Sequence, residues 1–490
     1  MRPAILILAF LASLSAQIQP RDRHFKSWLG FSGNPQHSAR AAAPAQTLNQ
    51  IKWQTPVDLA PQYSGSDLLI HYGSPVITSQ NTIIVPVKTT AAGAFRVDAR
   101  KATDGSLLWS ASSDYVLPAA NWTPEFSPAL VDRPKSRLYF PGAAGSLLYR
   151  EDPDSASGVT GRIFFYRGPS DDAVTIDTPL TTDADGNVYF GFAVTGAAPS
   201  GLSGGIARVS ATGEGTWISA AAASGHSSIT GVVFNCAPAL NSDAGLLYVA
   251  VSTDYNGSGH LLALNSTSLA PVASIVLKDP VTGLDAILSS DGTASPTLGP
   301  DGDVYFGVLE SSGENHQRGW LLHFDGKLTQ SKIPGDFGWD DTPSIVPASM
   351  VPSYRGPSSY LLMTKYNDYR GAGGTGINRL AILDPNAGQP FMQVVLSIAG
   401  LTPDGALPPV KEWCINSAAV DPASGSILAG SEDGKLYRWH LPTNTFSESI
   451  VLTPGVGEAY TPTIVGPDGA VYAINNATLF AIGAAHGRNP

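Results

Sequence analysis

A short phrase recurs along this chain and constrains its fold more than any other feature. A Ser/Thr-Pro step or its equivalent opens a strand, a Gly/Asp turn follows, and a Val-Tyr-Phe-like strand comes next. The step stands at Gly73-Ser74-Pro75, Phe126-Ser127-Pro128, Asp177-Thr178-Pro179, Cys236-Ala237-Pro238 and Ala294-Ser295-Pro296. It returns at Asp341-Thr342-Pro343, loosely at Asn416-Ser417-Ala418, and at Tyr460-Thr461-Pro462. One such unit cannot bury its apolar faces alone, so the copies must pack on one another. The period marks a β-propeller: an all-β, eight-bladed ring of four-stranded antiparallel blades.

Each unit reads as an inner strand a, then b and c, then an outer strand d, from short β-branched and aromatic runs bounded by Gly, Asp, Asn and Pro. The first unit is complete, with Pro75 to Thr78, Thr82 to Val87, Ala94 to Asp98 and Leu107-Leu108-Trp109. In the second, the outer strand is read at Ile163-Phe164-Phe165-Tyr166. The eighth supplies a, b and c as Pro462 to Val465, Ala470 to Ile474 and Thr478 to Ile482, but no d. Ile51-Lys52-Trp53-Gln54-Thr55 is its obvious donor, with Trp53 placed as Trp109 and Trp217 are. Pairing the two ends closes the ring and removes an open sheet edge. The blades then average about 54 residues over positions 49–483, slightly above the usual ~40–50. A ring of seven, with the sixth or seventh unit misread, is the alternative.

Length alone would suggest about three domains at ~150 residues each, but one ring absorbs nearly the whole chain. The expected organisation is a signal peptide over 1–16, an N-terminal linker over 17–48 and a single propeller over 49–485. Arg2, the apolar run Ala4 to Leu14 and the small residues Ser13-Leu14-Ser15-Ala16 have the order of a secretory signal. That run is too short to span a bilayer, and nothing later in the chain reaches the length of a span. The expectation is an exported, soluble monomer, periplasmic or extracellular. A net charge of −11 and a pI near 5.2 argue against nucleic acid, which needs clustered Lys and Arg. Two cysteines in an exported chain invite a disulfide. Cys236 and Cys414 lie three repeats apart, however, and a bridge needs Cα atoms within about 7 Å. Paired through loops across the channel mouth, or free, both states stay open.

Lys101-Ala102-Thr103-Asp104-Gly105-Ser106-Leu107-Leu108-Trp109 resembles the Ala-x-x-Gly-x-x-x-Trp docking motif of pyrroloquinoline-quinone (PQQ) type repeats. Ala211 to Trp217 is a shorter echo of it, and Gly430 to Tyr437 resembles the b–c hairpin of the same family. Trp28 to Ser38 is similar to the stretch that often precedes the first blade of such proteins. That family includes quinone-dependent dehydrogenases and bacterial outer-membrane assembly factors. The resemblance thus implies PQQ with Ca²⁺ as an alternative to having no cofactor. Its dehydrogenases commonly set two adjacent cysteines beside the quinone and hold Ca²⁺ with Glu, Asn and Asp. No adjacent cysteines occur here.

The residues themselves carry no catalytic motif. Asp340-Asp341 could serve as oxygen ligands or as a base, against the plainer role of accepting hydrogen bonds at a strand entrance. Asp183 to Asn187 and Pro300 to Asp303 look like pieces of a calcium loop but lack its further oxygens and distal Glu. Each falls where a–b must turn, and Asp-Gly suits that turn. The nine His show no metal-ligand spacing. No Gly-x-Ser-x-Gly elbow occurs, and Gly371 to Gly376 lacks the lysine of a phosphate loop. No metal site is expected.

The long insertions nearly all fall in b–c turns and d–a crossovers, which share one face. Binding residues concentrate on such loops over a rigid scaffold. Ahead of the inner strands, at the channel mouth, stand His71, Tyr72, Glu125, Asp177, Asp340, Asp341, Glu412, Trp413, Glu458 and Tyr460. Carboxylates among aromatics suit a polar or cationic ligand, or a sugar stacked on a ring. The expected function is a non-catalytic scaffold for a protein or carbohydrate ligand. A PQQ- or metal-dependent oxidoreductase acting on alcohols or sugars is the alternative.

Overall fold

The computed structural model describes residues 27–485, except 69, 118–125, 133–134, 197, 199–200, 242, 244, 255, 290–293, 330, 406–407 and 458–460. The expected signal peptide, Glu125, Glu458 and Tyr460 therefore lie outside the described residues. Eight antiparallel blades form a ring. The first runs Val76–Ile77, Thr82–Lys88, Phe95–Lys101 and Leu107–Ser113 from inside outward. Period-2 side-chain alternation is suppressed in the second and third strands, because blades cover both faces of each sheet. Val304–Val308 and Val471–Asn475, for example, are buried at every position.

The repeated Tyr supplies the contact between neighbouring units. Tyr139, Tyr189, Tyr248, Tyr305 and Tyr472 are among the largest fully buried side chains. A buried ring carries its hydroxyl to a partner where it can. Tyr248 donates to the Gly326 carbonyl at 2.5 Å, and the Tyr305 and Tyr360 hydroxyls meet at 2.6 Å.

Ring closure is as the sequence indicates. Gln50–Pro56 pairs antiparallel with Thr478–Gly483, matching Ile51 to Ile482 and Thr55 to Leu479. Trp53 donates from Nε1 to the Ala102 carbonyl at 2.8 Å, beside Gly105. A Cβ on Gly105 would lie 2.6 Å from that indole, so only glycine fits here. Trp109 docks likewise on the next blade, donating to the Pro153 carbonyl at 2.7 Å. Trp217 does not follow them: it remains 39% exposed and packs on Phe192.

Two blades depart from the expected pattern. In the second, the outer strand is Thr160–Ile163. Phe165 and Tyr166 turn inward, where Phe165 meets Phe192 at 4.6 Å, because burying two large rings outweighs extending an edge strand. In the fifth, the regular sheet has three strands, and residues 331–335 take the outer place through two isolated bridges. Pro334 cannot donate to a ladder there.

Residues 27–46, expected to belong to a linker, run along the inner strands of the ring. Trp28 and Ile77 exchange backbone hydrogen bonds at 2.9 and 3.0 Å. Leu130 then donates to the Leu29 carbonyl, Leu240 to Pro35, Leu298 to Gln36, Ile345 to Ser38 and Val420 to Ala39. Gly30 packs at the Leu180 carbonyl, and Gln46 donates to the Gly469 carbonyl. The segment thus touches all eight blades in order.

Candidate functional site

The inner positions of the third and fourth blades are interrupted. Val174–Ile176 and Thr181–Thr182 both pair with Val188–Val194, and Asp177 stands in the gap. Gly231–Val232 and Ala239–Asn241 both pair with Leu246–Ser252, and Asn235-Cys236 stand in that gap. The interruptions break the ladders at the loop-face end of the channel, where the Asp177 N–H still donates to the Gly191 carbonyl at 3.2 Å. Asn235 takes a left-handed φ of 58°, a conformation that Asn tolerates better than most residues.

Asn235 joins two other blades. Its backbone N–H donates to the Asp177 carbonyl at 3.0 Å, and its amide nitrogen meets Nδ1 of His71 at 2.7 Å. His71, from the first blade, therefore reaches the fourth across the channel mouth. Asp177 is 1% exposed, and neither carboxyl oxygen has a hydrogen-bond partner among the described residues. Burial drives its carboxyl well above the ordinary range. Burial likewise pushes the adjacent Cys236 thiol up to about 12, with Asp177 adding to the effect.

A second group lies on the sixth and seventh blades. Asp340 pairs with the buried Lys365 at 3.4 Å, and Asp341 accepts from Thr364 Oγ1 at 2.5 Å. Burial pushes Asp341 up to about 7 against the opposing pull of Thr364 and Lys365. Burial alone would lower the Lys365 ammonium, but Asp340 and its other anionic neighbours outweigh it and hold the proton. Glu412, Cys414 and Glu432 bring one potential ligand atom each within 4.8 Å of the others. Cys414 donates from Sγ to Glu432 Oε1 at 3.2 Å. Burial, then Glu432, pushes Glu412 up to about 7, and burial raises the Cys414 thiol. Asp340 also lines a cleft with Val233, Phe306 and Trp339.

Two sequence-predicted residues point elsewhere. Trp413 is fully buried, 5.4 Å from Tyr437 and 5.7 Å from Phe446 between ring centroids, so it offers no face for a sugar. Asn367 holds its backbone on both sides, donating to the Trp413 carbonyl at 3.2 Å and accepting from its N–H at 3.3 Å. Tyr72 turns to the buried Asp58–Lys88 pair, donating to Asp58 at 3.3 Å. Asn235, Lys365, Cys414 and Glu432 were not foreseen as site residues. Lys365, Cys414 and Glu432 lie within two residues of a strand end, and Asn235 in the gap between two inner strands, positions that carry little signal in the sequence. Both cysteines are free thiols.

The Asp-Gly segments on the opposite face serve their turns. Asp183 accepts from the N–H groups of Asp185 and Asn187, and Gly186 has φ 89°.

No protein-family model matches the chain, and no curated protein matches it. Solved structures do. It is similar to a quinohemoprotein alcohol dehydrogenase from Comamonas testosteroni, with TM-score 0.57 and 12% identity, over 94% of this chain and 81% of that one. It is similar to a europium-containing methanol dehydrogenase, with TM-score 0.52 and 13% identity, over 91% and 89%. Saccharomyces cerevisiae Sqt1 follows with TM-score 0.50 and 12% identity, over 88% and 100%. The fold is that of the PQQ-type propellers.

The residues fit the quinone cofactor of that fold only in part. Asp177 and Asn235 lie side by side and offer oxygen atoms of the kind a hard cation takes. The adjacent cysteine pair is missing, and the two thiols stand on different blades, each held protonated by burial. The set does not reproduce a quinone seat.

Proposed function

We propose that this chain is an exported, monomeric ligand-binding propeller, non-catalytic, which takes a small polar ligand at the loop-face mouth of its channel. The observation that carries the reading is the Asp177 carboxyl, buried with both oxygens unpartnered among the described residues. Leaving such a group unpaired costs on the order of 1–3 kcal/mol, and unsatisfied buried groups in native proteins call for a functional account. A ligand bearing an ammonium, a hydroxyl or a bound cation would repay that cost. The surrounding groups favour binding over chemistry: Lys365 is held by Asp340, and the thiols are not nucleophilic thiolates.

The test is a thermal-shift screen of amines, polyols and divalent cations on the mature chain. A ligand that raises the melting temperature of the wild type should lose its effect in Asp177→Asn and keep it in the opposite-face Asp185→Asn. The reverse pattern would place binding on the wrong face. Adding PQQ and Ca²⁺ tests the alternative suggested by the Asp177–Asn235 pair. Saturable quinone absorbance with dye reduction by alcohols or sugars would replace the scaffold reading with an oxidoreductase.

A further inference from the structure

The segment Trp28–Ala41 makes contacts whose spacing matches the ring itself. Its carbonyls accept, one after another, from residues near the a–b ends of inner strands in six blades, and Gly30 packs against a seventh. Two side chains reinforce the grip. Gln36 donates from Nε2 to the Leu240 carbonyl at 2.9 Å, and His37 meets the Pro296 carbonyl through Nδ1 at 2.7 Å. A carbonyl only accepts, so Nδ1 carries the proton, and burial lowers that imidazole to about 4, keeping it neutral. Gly33, at φ 88°, turns the segment tightly; a Cβ there would stand 3.2 Å from the Trp28 indole.

The strands gripped in this way carry the channel-mouth groups at their other ends. Leu180 follows Asp177 by three residues, Leu240 follows Asn235 by five, and Ile345 follows Asp341 by four. At about 3.3 Å per extended residue, the separation is at most on the order of 10–17 Å. We infer that Trp28–Ala41 is a positioning strap: it fixes the spacing of the inner strands from inside the ring and so sets the geometry of the mouth, with Gln36 and His37 registering the fourth and fifth blades. Backbone hydrogen bonds alone would let the segment slide by a residue, whereas a side chain in its own slot does not. The consequence for ligand binding rests on the proposed site, but the strap can be tested without any ligand.

Cys236 is the natural reporter, buried at the mouth of the fourth blade, four residues from the Leu240 that the strap holds. Native mature protein is treated with iodoacetamide, and Cys236 modification is followed by peptide mass mapping, separately from Cys414. Gln36→Ala with His37→Ala should speed Cys236 labelling about tenfold without change in far-UV circular dichroism, as local opening would. Val471→Ala, in the eighth-blade core, serves as a general destabilisation control and should not speed it when compared at equal distance below the melting temperature. If the double variant does not fold, Gln36→Ala alone should speed labelling several-fold. Unchanged labelling in the folded strap variant, or an equal rise in the Val471→Ala control, would overturn the inference while leaving the ligand site untouched.

Discussion

Asp177 and Trp413 both stand just ahead of inner strands on the loop face, yet tertiary packing gives them opposite roles. Asp177 keeps an unpartnered carboxyl at the mouth, while Trp413 is locked among Tyr437, Phe446 and Asn367. Trp413→Ala should therefore destabilise the fold by roughly 3–5 kcal/mol, the range for truncating a buried aromatic. Urea denaturation checks this, and an unchanged midpoint would remove the ring from the core. Asp341 and Glu412 give the pH dependence a definite sign. Both are raised to about 7 in the folded chain, whereas the unfolded values lie near 4. Between about 4 and about 7 the folded state thus holds more protons, and their contribution to stability falls as pH rises, by up to ~1.4 kcal/mol per pH unit for each group. Melting followed from pH 5 to pH 8 should show a shallower decline in Asp341→Asn with Glu412→Gln than in the wild type. Parallel slopes would mean that these carboxyls ionise normally.

The closing strand is the element on which the ring count depends. Gln50–Pro56 completes the eighth blade by antiparallel pairing, and its Trp53 docks on the first blade at Gly105. Deleting residues 49–57 exposes the Thr478–Gly483 edge and removes that dock, so the melting transition should fall or lose cooperativity in a calorimetric scan. A transition unchanged by the deletion would refute this closure. The strand was legible because three other signals converged on it: an incomplete last unit, an unused early strand and a Trp in register with Trp109. The outer strands of the second and fifth blades were less legible. Phe164-Phe165-Tyr166 has strand propensity, but burial of Phe165 and Tyr166 decides their direction. Pro334 removes a donor where a fourth ladder would form.

At the scale of the molecule, closure has two parts that act at different radii. The outer strand joins last blade to first, and the strap runs inside the ring along the first seven blades. The strap holds the a–b side of the inner strands, and the loop face is left to carry the channel-mouth groups. His71 of the first blade and Asn235 of the fourth then meet across the mouth, so the two sides of the ring are also tied there. The candidate site draws on five of the eight blades, which is why no local motif announces it.

The sequence by itself determined the blade, the blade count and the closure, because each depends on near neighbours: turn residues, alternating apolar runs and a repeat that must stack on its copies. It also placed Asp177, Asp340, Asp341, Glu412 and His71 on one face, since strand direction alone sends every a-strand entrance to the same side. Only the tertiary structure decided which of them have partners. Lys365 on Asp340, Asn235 between His71 and Asp177, and Cys414 on Glu432 are contacts between segments far apart in the chain, or between separate loops of one blade. Their energies depend on distance and desolvation, which a linear pattern does not contain. The strap shows the same limit from the other side: its carbonyls accept whatever backbone lies opposite, and Gln36 and His37 bond to backbone carbonyls whose positions only the closed ring decides.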